Sequence, residues 1–492
     1  MTYYIDSRYG CDENDGLSRQ TAWRTLAAVN ARTYKGGDAI LFKAGGTYVG
    51  NLAPKREPDG GRIVIGRYGV GDKPEIAAES GCALDLLNFD HVEIRDLSFT
   101  APQGLRGISV QAYNSGALAD IFIHDCRIHD VNNGRASFNY ESGGIIFIAG
   151  GPDKPSWFDD VTIEDNEIID VGRSGILHTN LWSCRPQMWG FNKYDGDDSR
   201  NWWPSHHMQV RGNYIDRTGG DGIVLLGNDK AVIEWNTVYH VMTNPVPPCA
   251  NAGIWPQSSN DTLVQYNEVG YCNKPEGCND AQGFDVDLSC RNTVIQYNYS
   301  HDNGGGFLLL CENTSTTDAD NYRGTIVRNN LSINDGRVKG ELIALVGPVR
   351  GALIENNTIY STGNVDRLVE VWTDDGQHQA KDVTLRNNLF VSNGRNNAFN
   401  LCNGENFVFE NNVFWGTHTE VPASHRDTVS FDPKLTLPGR GGDGRAVMEA
   451  YVPAEARLFE AAGTPEKPSD IDALGRETDG KAYVGAFIPQ VP

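Results

Sequence analysis

The chain has 492 residues, with 64 Asp and Glu against 42 Lys and Arg, for a formal net charge of −22. So acidic a surface repels polyanions and argues against nucleic acid as a partner, while the length calls for an elongated fold or several domains. The 55 glycines point to a turn-rich β protein.

The N-terminus, "MTYYIDSRYG", has no basic segment leading into an apolar run, and no apolar stretch reaches transmembrane length. The expectation is a protein that does not insert in membranes, either cytoplasmic or exported with its leader removed. "SRQTAWRTLAAVNA" follows, with the spacing of an amphipathic helix that Ser18 or Thr21 would cap. It reads as a plug over a first coil, "GDAILFKAGGTYVG", so that residues 1–80 form an N-terminal cap.

From about residue 81 to 430 one pattern recurs: apolar, apolar or Thr, polar, variable, Asn. It ends at Asn166, Asn213, Asn236, Asn267, Asn298, Asn330, Asn357, Asn388 and Asn412, and two successive steps are 31 residues long. After each Asn comes a short second strand, then a glycine and a third strand such as "GILHT", "GIVLL", "GIWPQ", "GFDVD" or "GFLLL". No unit could bury its own apolar residues, but stacked units would share a core and stack their asparagines into an amide ladder. The fold class predicted is all-β, a parallel β-helix. Asn is also the residue expected to take the left-handed corner. From Phe431 the pattern stops, and the tail 431–492 is expected to cover the C-terminal end.

The ten cysteines are scattered, and Cys126, Cys290 and Cys311 alternate with apolar residues as buried thiols would. Cys272 and Cys278 flank "CNKPEGC", where a disulfide would close a short loop. No CxxC pair suggests zinc.

"YYIDSRYGCDENDGLSRQTAWRTLAAVN", "GDAILFKAGGTY" and the "IEDNEI…GI" units resemble the pectate-lyase-like right-handed parallel β-helix superfamily. "QGFDVDLSCRNTVIQYNYSHDNGGGFLLL" is similar to bacterial β-helix glycoside hydrolases, a β-xylosidase family and a fucosidase/xylanase family among them. The resemblance implies a carbohydrate-active enzyme. In the β-xylosidase family a catalytic Asp lies on a strand of the form Gly-apolar-x-apolar-Asp, which matches Asp287. That family's catalytic Glu lies one coil later, near Leu310 here, and the nearest acid is Glu312.

Aligning the third strands on the residue after the glycine places Ile176, Ile223, Ile254, Phe284 and Phe307 in the core. Successive rungs then show Trp255 and Gln257, Asp285 and Asp287, and Leu308 and Leu310 outward. Glycoside hydrolysis needs two carboxyl groups about 5 to 9.5 Å apart, and same-face residues of one strand meet that range. Asp285 and Asp287 are therefore the first candidates, with Glu312 or Asp221 of "GGDGI" as a further catalytic acid. Glu341 at the start of a later strand is a candidate substrate contact. The insertion "NLWSCRPQMWGFNKYDGDDSRNWWPSHH" brings Trp182, Trp189, Trp202, Trp203 and Tyr194, which suit a sugar-stacking wall. His178 and His301 are candidate polar contacts. Asp221 in its turn, and each lone His, also fit a purely structural role.

The function expected is hydrolysis of a neutral oligo- or polysaccharide without a cofactor, although paired carboxylates would also suit calcium. A uronate lyase or epimerase would need a cationic groove, which these strands lack. A non-catalytic carbohydrate-binding solenoid would be more uniform. Sugar identity, linkage and oligomeric state are not readable from these residues.

Overall fold

A computed structural model describes the chain except for residues 59, 133–141, 184–201, 246–249, 313–321, 339, 363–364, 366, 374–377, 394–397, 402–403, 419–420, 422–428 and 492. It is a right-handed parallel β-helix, and the chain separates into two compact units. The first holds residues 1–186, 191–232 and 241–246; the second holds 187–190, 233–240 and 247–492.

Each unit is built from three parallel sheets, one strand per sheet per coil. In the first unit, strands such as Gly116–His124 and Ser156–Glu164 stack in one sheet, Arg127–Val131 and Glu167–Val171 in a second, and Gly143–Gly150, Ser174–Asn180 and Asp221–Leu226 in a third. In the second unit the first sheet runs from Leu263–Gln265 to Val408–Glu410 and the second from Thr237–Tyr239 to Val429–Ser430. The third runs Ile254–Gln257, Phe284–Val286, Leu308–Cys311, Glu341–Val346, Arg367–Trp372 and Ala398–Asn400. Every pairing between these named strands is parallel.

The recurring asparagines form the predicted ladder. In the second unit Asn236, Asn267, Asn298, Asn330, Asn357 and Asn388 each donate Nδ2 to the Oδ1 of the next, at 3.0–3.1 Å, ending on Asn412. Asn166 and Asn213 make the same contact in the first unit. The left-handed corner, however, falls one residue earlier: Trp235, Tyr266 and Tyr297 have φ of 58°, 56° and 57°, as do Asn329 and Asn356 near 55°. Turning the chain at that residue points the following Asn inward, where its amide replaces missing backbone partners. The aromatic corners stack outside, Trp235 on Tyr266 at 4.4 Å and Tyr266 on Tyr297 at 5.1 Å.

The N-terminal helix is shorter than predicted, only Leu26–Asn30. Ser18 and Thr21 hydrogen-bond to each other in the preceding turn, and the side chain of Asp12 instead accepts from the backbone N–H groups of Arg24 and Thr25. The C-terminal segment lies along the flank of the second unit. Its Val447, Met448, Tyr451, Leu458, Val484 and Phe487 bury themselves with Tyr299, Leu331, Ile333, Leu389 and Val413 of the second sheet. The Gly485 N–H donates to the Asn387 carbonyl, and Tyr271 Oη donates to Asp443 at 2.6 Å. The reason is physical: the second sheet's Tyr- and Leu-bearing outer face needs cover over several coils. Cys278 is disulfide-bonded and Cys272 is not, so the two do not pair with each other as their spacing suggested. No helix among the described residues is long and apolar enough to cross a membrane.

Candidate active site

The strand Phe284–Val286 sets the site. Ile254 pairs with Phe284, and Phe284, Asp285 and Val286 pair with Leu308, Leu309 and Leu310. Phe284, Val286, Leu308 and Leu310 are wholly buried, so the column Phe284–Leu308 belongs to the core and Asp285–Leu309 to the outer face. Here the structure differs from the glycine-based alignment by one residue: Leu309 and Cys311 face outward, and Leu308 and Leu310 face in. "GGGFLLL" has no polar–apolar alternation to mark its register, and Phe307 joins the core beside Phe284 with ring centroids 6.1 Å apart. Gly283 is required in front of the strand, because a Cβ there would stand 2.5 Å from Ser300 Oγ.

Four carboxylates lie near enough to Cys311 for their charges to act on its thiol. The Cys311 thiol is held well above its ordinary range by burial first, then by the charges of Asp287, Asp285, Asp280 and Glu312. The cluster therefore contains the predicted Asp285, Asp287 and Glu312, and adds Asp280. Asp280 sits in the loop before the strand, where no periodicity reports orientation, so pattern reading passes over it. The next residue but one before the strand's glycine, Ala281, is a buried non-glycine with φ of 83°, held by its N–H to the Asn251 carbonyl at 2.7 Å. Such a conformation is strained and persists where the surroundings demand it.

The four acids are not equivalent. Asp285 is 4% exposed and Glu312 is buried, whereas Asp280 and Asp287 are half-buried. Glu312 Oε2 accepts the Ser289 backbone N–H at 2.9 Å, which ties down the turn just after Asp287. Asp287 itself donates its backbone N–H to the Pro256 carbonyl at 3.0 Å, bringing the rung of Trp255 and Gln257 alongside. Trp255 is 4% exposed and serves as a wall for the acids more than as an open platform. Gln257 is buried, and its Nε2 meets no hydrogen-bond acceptor among the described residues. A buried amide donor left in that position costs free energy. Glu341 lies further along the same sheet, in register with Arg367, and its charge bears on Glu370.

The remaining candidates lie elsewhere. In the second unit His301 belongs to the second sheet, fully buried between Glu268 at 3.3 Å and Asp302 at 3.2 Å. A side chain so enclosed cannot reach a sugar, and it is a structural ion pair. In the first unit Asp221 is wholly buried and ion-paired with Arg173 at 3.0 Å, so its carboxylate is already committed. His178 is wholly buried too, hydrogen-bonded to Ser205 Oγ at 2.8 Å and to Asn228 at 3.0 Å; burial pushes its pKa down to about 3 and keeps it neutral. Trp182 is buried, donating Nε1 to the Gly151 carbonyl. Trp202 is half-buried. Trp203 is 41% exposed and stacks on Trp157, an aromatic residue outside the insertion, with centroids 5.4 Å apart. Trp189 and Tyr194 lie outside the described residues. No group of three or more His, Cys, Asp or Glu that could hold a metal ion occurs among the described residues.

A family model described as right handed beta helix region matches residues 201–335. The chain is 26% identical to a lacto-N-biosidase of Bifidobacterium longum subsp. longum, over 100% of this chain and 36% of that protein. It thus spans little more than a third of the relative's length. A solved lacto-N-biosidase of family GH136 from Eubacterium ramulus superposes with a TM-score of 0.62 at 23% identity, covering 81% of this chain and 67% of that one. XylC, solved in complex with xylose, superposes with a TM-score of 0.57 at 13% identity over 100% of this chain and 99% of that one. These likenesses agree with the parallel β-helix read from the repeats.

Proposed function

We propose that the chain is a glycoside hydrolase acting on a neutral oligosaccharide, with its chemistry at the acid cluster of the second unit. The observation that carries the reading is the pair of half-buried carboxylates, Asp287 and Asp280, set beside a buried amide donor and two closed acids. Hydrolysis needs one carboxylate to attack the anomeric carbon, or to activate water for that attack. It needs a second carboxyl group to pass a proton to the leaving oxygen. Both must reach the substrate, and only Asp287 and Asp280 among the four are accessible. Asp287 takes the first role and Asp280 the second. Asp285 and Glu312 are positioning residues, Glu312 through the Ser289 N–H. The mechanism calls for no cofactor.

The sequence likeness to lacto-N-biosidase supports a neutral oligosaccharide as substrate, and the bound xylose of XylC supports a sugar at this fold. The third-sheet strands of the second unit carry one cation, Arg367, which is bound to Glu370. A uronate-binding groove would need more. The disulfide at Cys278 favours an oxidising location outside the cytoplasm. The test is a screen of aryl glycosides, aryl lacto-N-bioside and aryl xyloside included, with the wild-type chain and Asp287→Asn. Release by the wild type that is lost in the variant supports the reading; release unaffected by the substitution, or absorbance at 235 nm growing with uronate polymers instead, overturns it.

A further inference from the structure

The outer face of the third sheet continues beyond the acids in two columns. One runs Asp285, Leu309, Ala344, Glu370, Asn400, and the other runs Cys311, Val346, Trp372. The first two rungs past the acids are apolar and low: Leu309, Ala344 and Val346 form a small cluster of their own with Cys311, separate from the core. On the third rung stands Trp372, 39% exposed, at the edge of a strand whose inward residues Val369 and Val371 are buried. Beside it Glu370 accepts from Asn400 Nδ2 at 2.7 Å and pairs with Arg367, which fixes a polar rim next to the indole. Three rungs of about 4.8 Å carry the indole roughly 14 Å from the acids. One rung is close to the advance of one hexose in a linear glycan. The face therefore repeats with the period of a sugar chain laid along the solenoid axis.

We propose that the glycan whose bond the acids cleave continues along this face, across Leu309, Ala344 and Val346, and stacks a distal sugar on Trp372. The inference rests on the glycosidase reading of the acid cluster. Apolar C–H faces of sugars suit the flat floor, and the indole face supplies the strongest single contact, three to four units from the cleaved bond. The enzyme would thus prefer substrates longer than a disaccharide, with Trp372 as the residue that sets that preference.

Calorimetric titration of Asp287→Asn with lacto-N-series oligosaccharides from di- to hexasaccharide, and with xylo-oligosaccharides of the same lengths, tests it. One series should gain at least about tenfold in affinity between the di- and pentasaccharide, the size of one good ring contact. The gain should vanish with Trp372→Ala added, return in part with Trp372→Phe, and survive Trp415→Ala, which removes a comparably exposed indole on the second sheet. Affinity flat with length in both series, or a gain that survives Trp372→Ala, overturns the proposal. A length-dependent gain in a protein whose wild type hydrolyses none of these sugars overturns the hydrolase reading and leaves the glycan face standing. Hydrolysis with a flat affinity profile does the reverse.

Discussion

Glu312 reaches back across one coil to hold the backbone N–H of Ser289 at 2.9 Å, two residues beyond Asp287. Ser289 has φ of 61°, so the turn it makes depends on that outside partner. A carboxylate used this way is a strut, and its charge matters less than its oxygen. Glu312→Gln keeps an acceptor of the same reach and should retain kcat within about tenfold, whereas Glu312→Ala leaves a buried N–H unpaired at a cost of about 1–3 kcal/mol and should lower both Tm and kcat. A proton donor would behave otherwise: Gln would then be as inactive as Ala. Parallel kcat and thermal-unfolding measurements on the two variants decide between the roles.

The accessible pair makes a sharper demand. Asp287→Asn and Asp280→Asn should each reduce kcat by about 10²–10⁴, the range of a lost general acid or nucleophile, without a change in far-ultraviolet circular dichroism. Asp285→Asn alters a closed side chain, so it should cost less than either. The ranking is the test. A variant at Asp285 as inactive as that at Asp287, with Asp280→Asn near wild type, would return the chemistry to the two aspartates of the strand.

The repeat was legible because the ladder demands it: a buried Asn in every coil leaves a spaced mark, and each strand alternates around it. What sequence could not supply was register where alternation fails. Through "GGGFLLL" every side chain after the glycines is apolar, so a shift by one residue changes no pattern, though it moves Leu309 and Cys311 to the outer face. The corner residue was misassigned for a similar reason. In "IENN" and "LRNN" two adjacent asparagines suit both the left-handed corner and the ladder. The pairs "WN" and "YN" at 235–236 and 266–267 show that side-chain direction decides, because an aromatic at the corner can stack outside. Asp280 was invisible because a loop carries no period. Asp221, His178 and His301 had the right chemistry in the sequence, and only burial removes them from consideration.

The ladder predicts where stability is concentrated. Asn298 donates to the Val264 carbonyl and to Asn330, both at 3.0 Å, and accepts from the Asn267 backbone and side chain at 2.9 and 3.1 Å. Truncation to Ala strands partners on both sides, and with each buried unpaired group worth about 1–3 kcal/mol the loss should reach roughly 3 kcal/mol or more. Asn412 ends the run and accepts from Asn388 alone among the ladder asparagines. Its truncation should cost measurably less. Denaturant melts of Asn298→Ala and Asn412→Ala that match within error would show that the ladder adds nothing beyond its separate hydrogen bonds.

His301 gives the pH dependence a sign. Burial alone pushes its pKa down, but hydrogen bonds to Asp302 and Glu268, with the charges of Glu268 and Asp335, outweigh burial and raise it to about 9. Against an unfolded value near 6.5, the folded state binds the proton more tightly, so this contribution is complete below about pH 6.5 and is lost as pH climbs through about 9. Glu268 moves the other way: burial opposes ionisation, yet His301, Tyr239 and the Gly444 N–H at 2.6 Å lower its pKa, so its share is lost only as pH falls into the acid range. The same carboxylate holds the turn at Gly444 of the C-terminal segment, so deprotonating His301 should loosen that segment before the coils themselves. Tm should decline between about pH 6.5 and 9 in the wild type, with proteolytic clipping near residues 442–445 rising over the same interval. His301→Gln keeps hydrogen-bonding capacity without the charge, and should be less stable at pH 6 and nearly flat across the interval. A wild-type profile already flat from pH 6.5 to 9, or a variant that keeps the wild-type slope, would mean that His301 is not the titrating group.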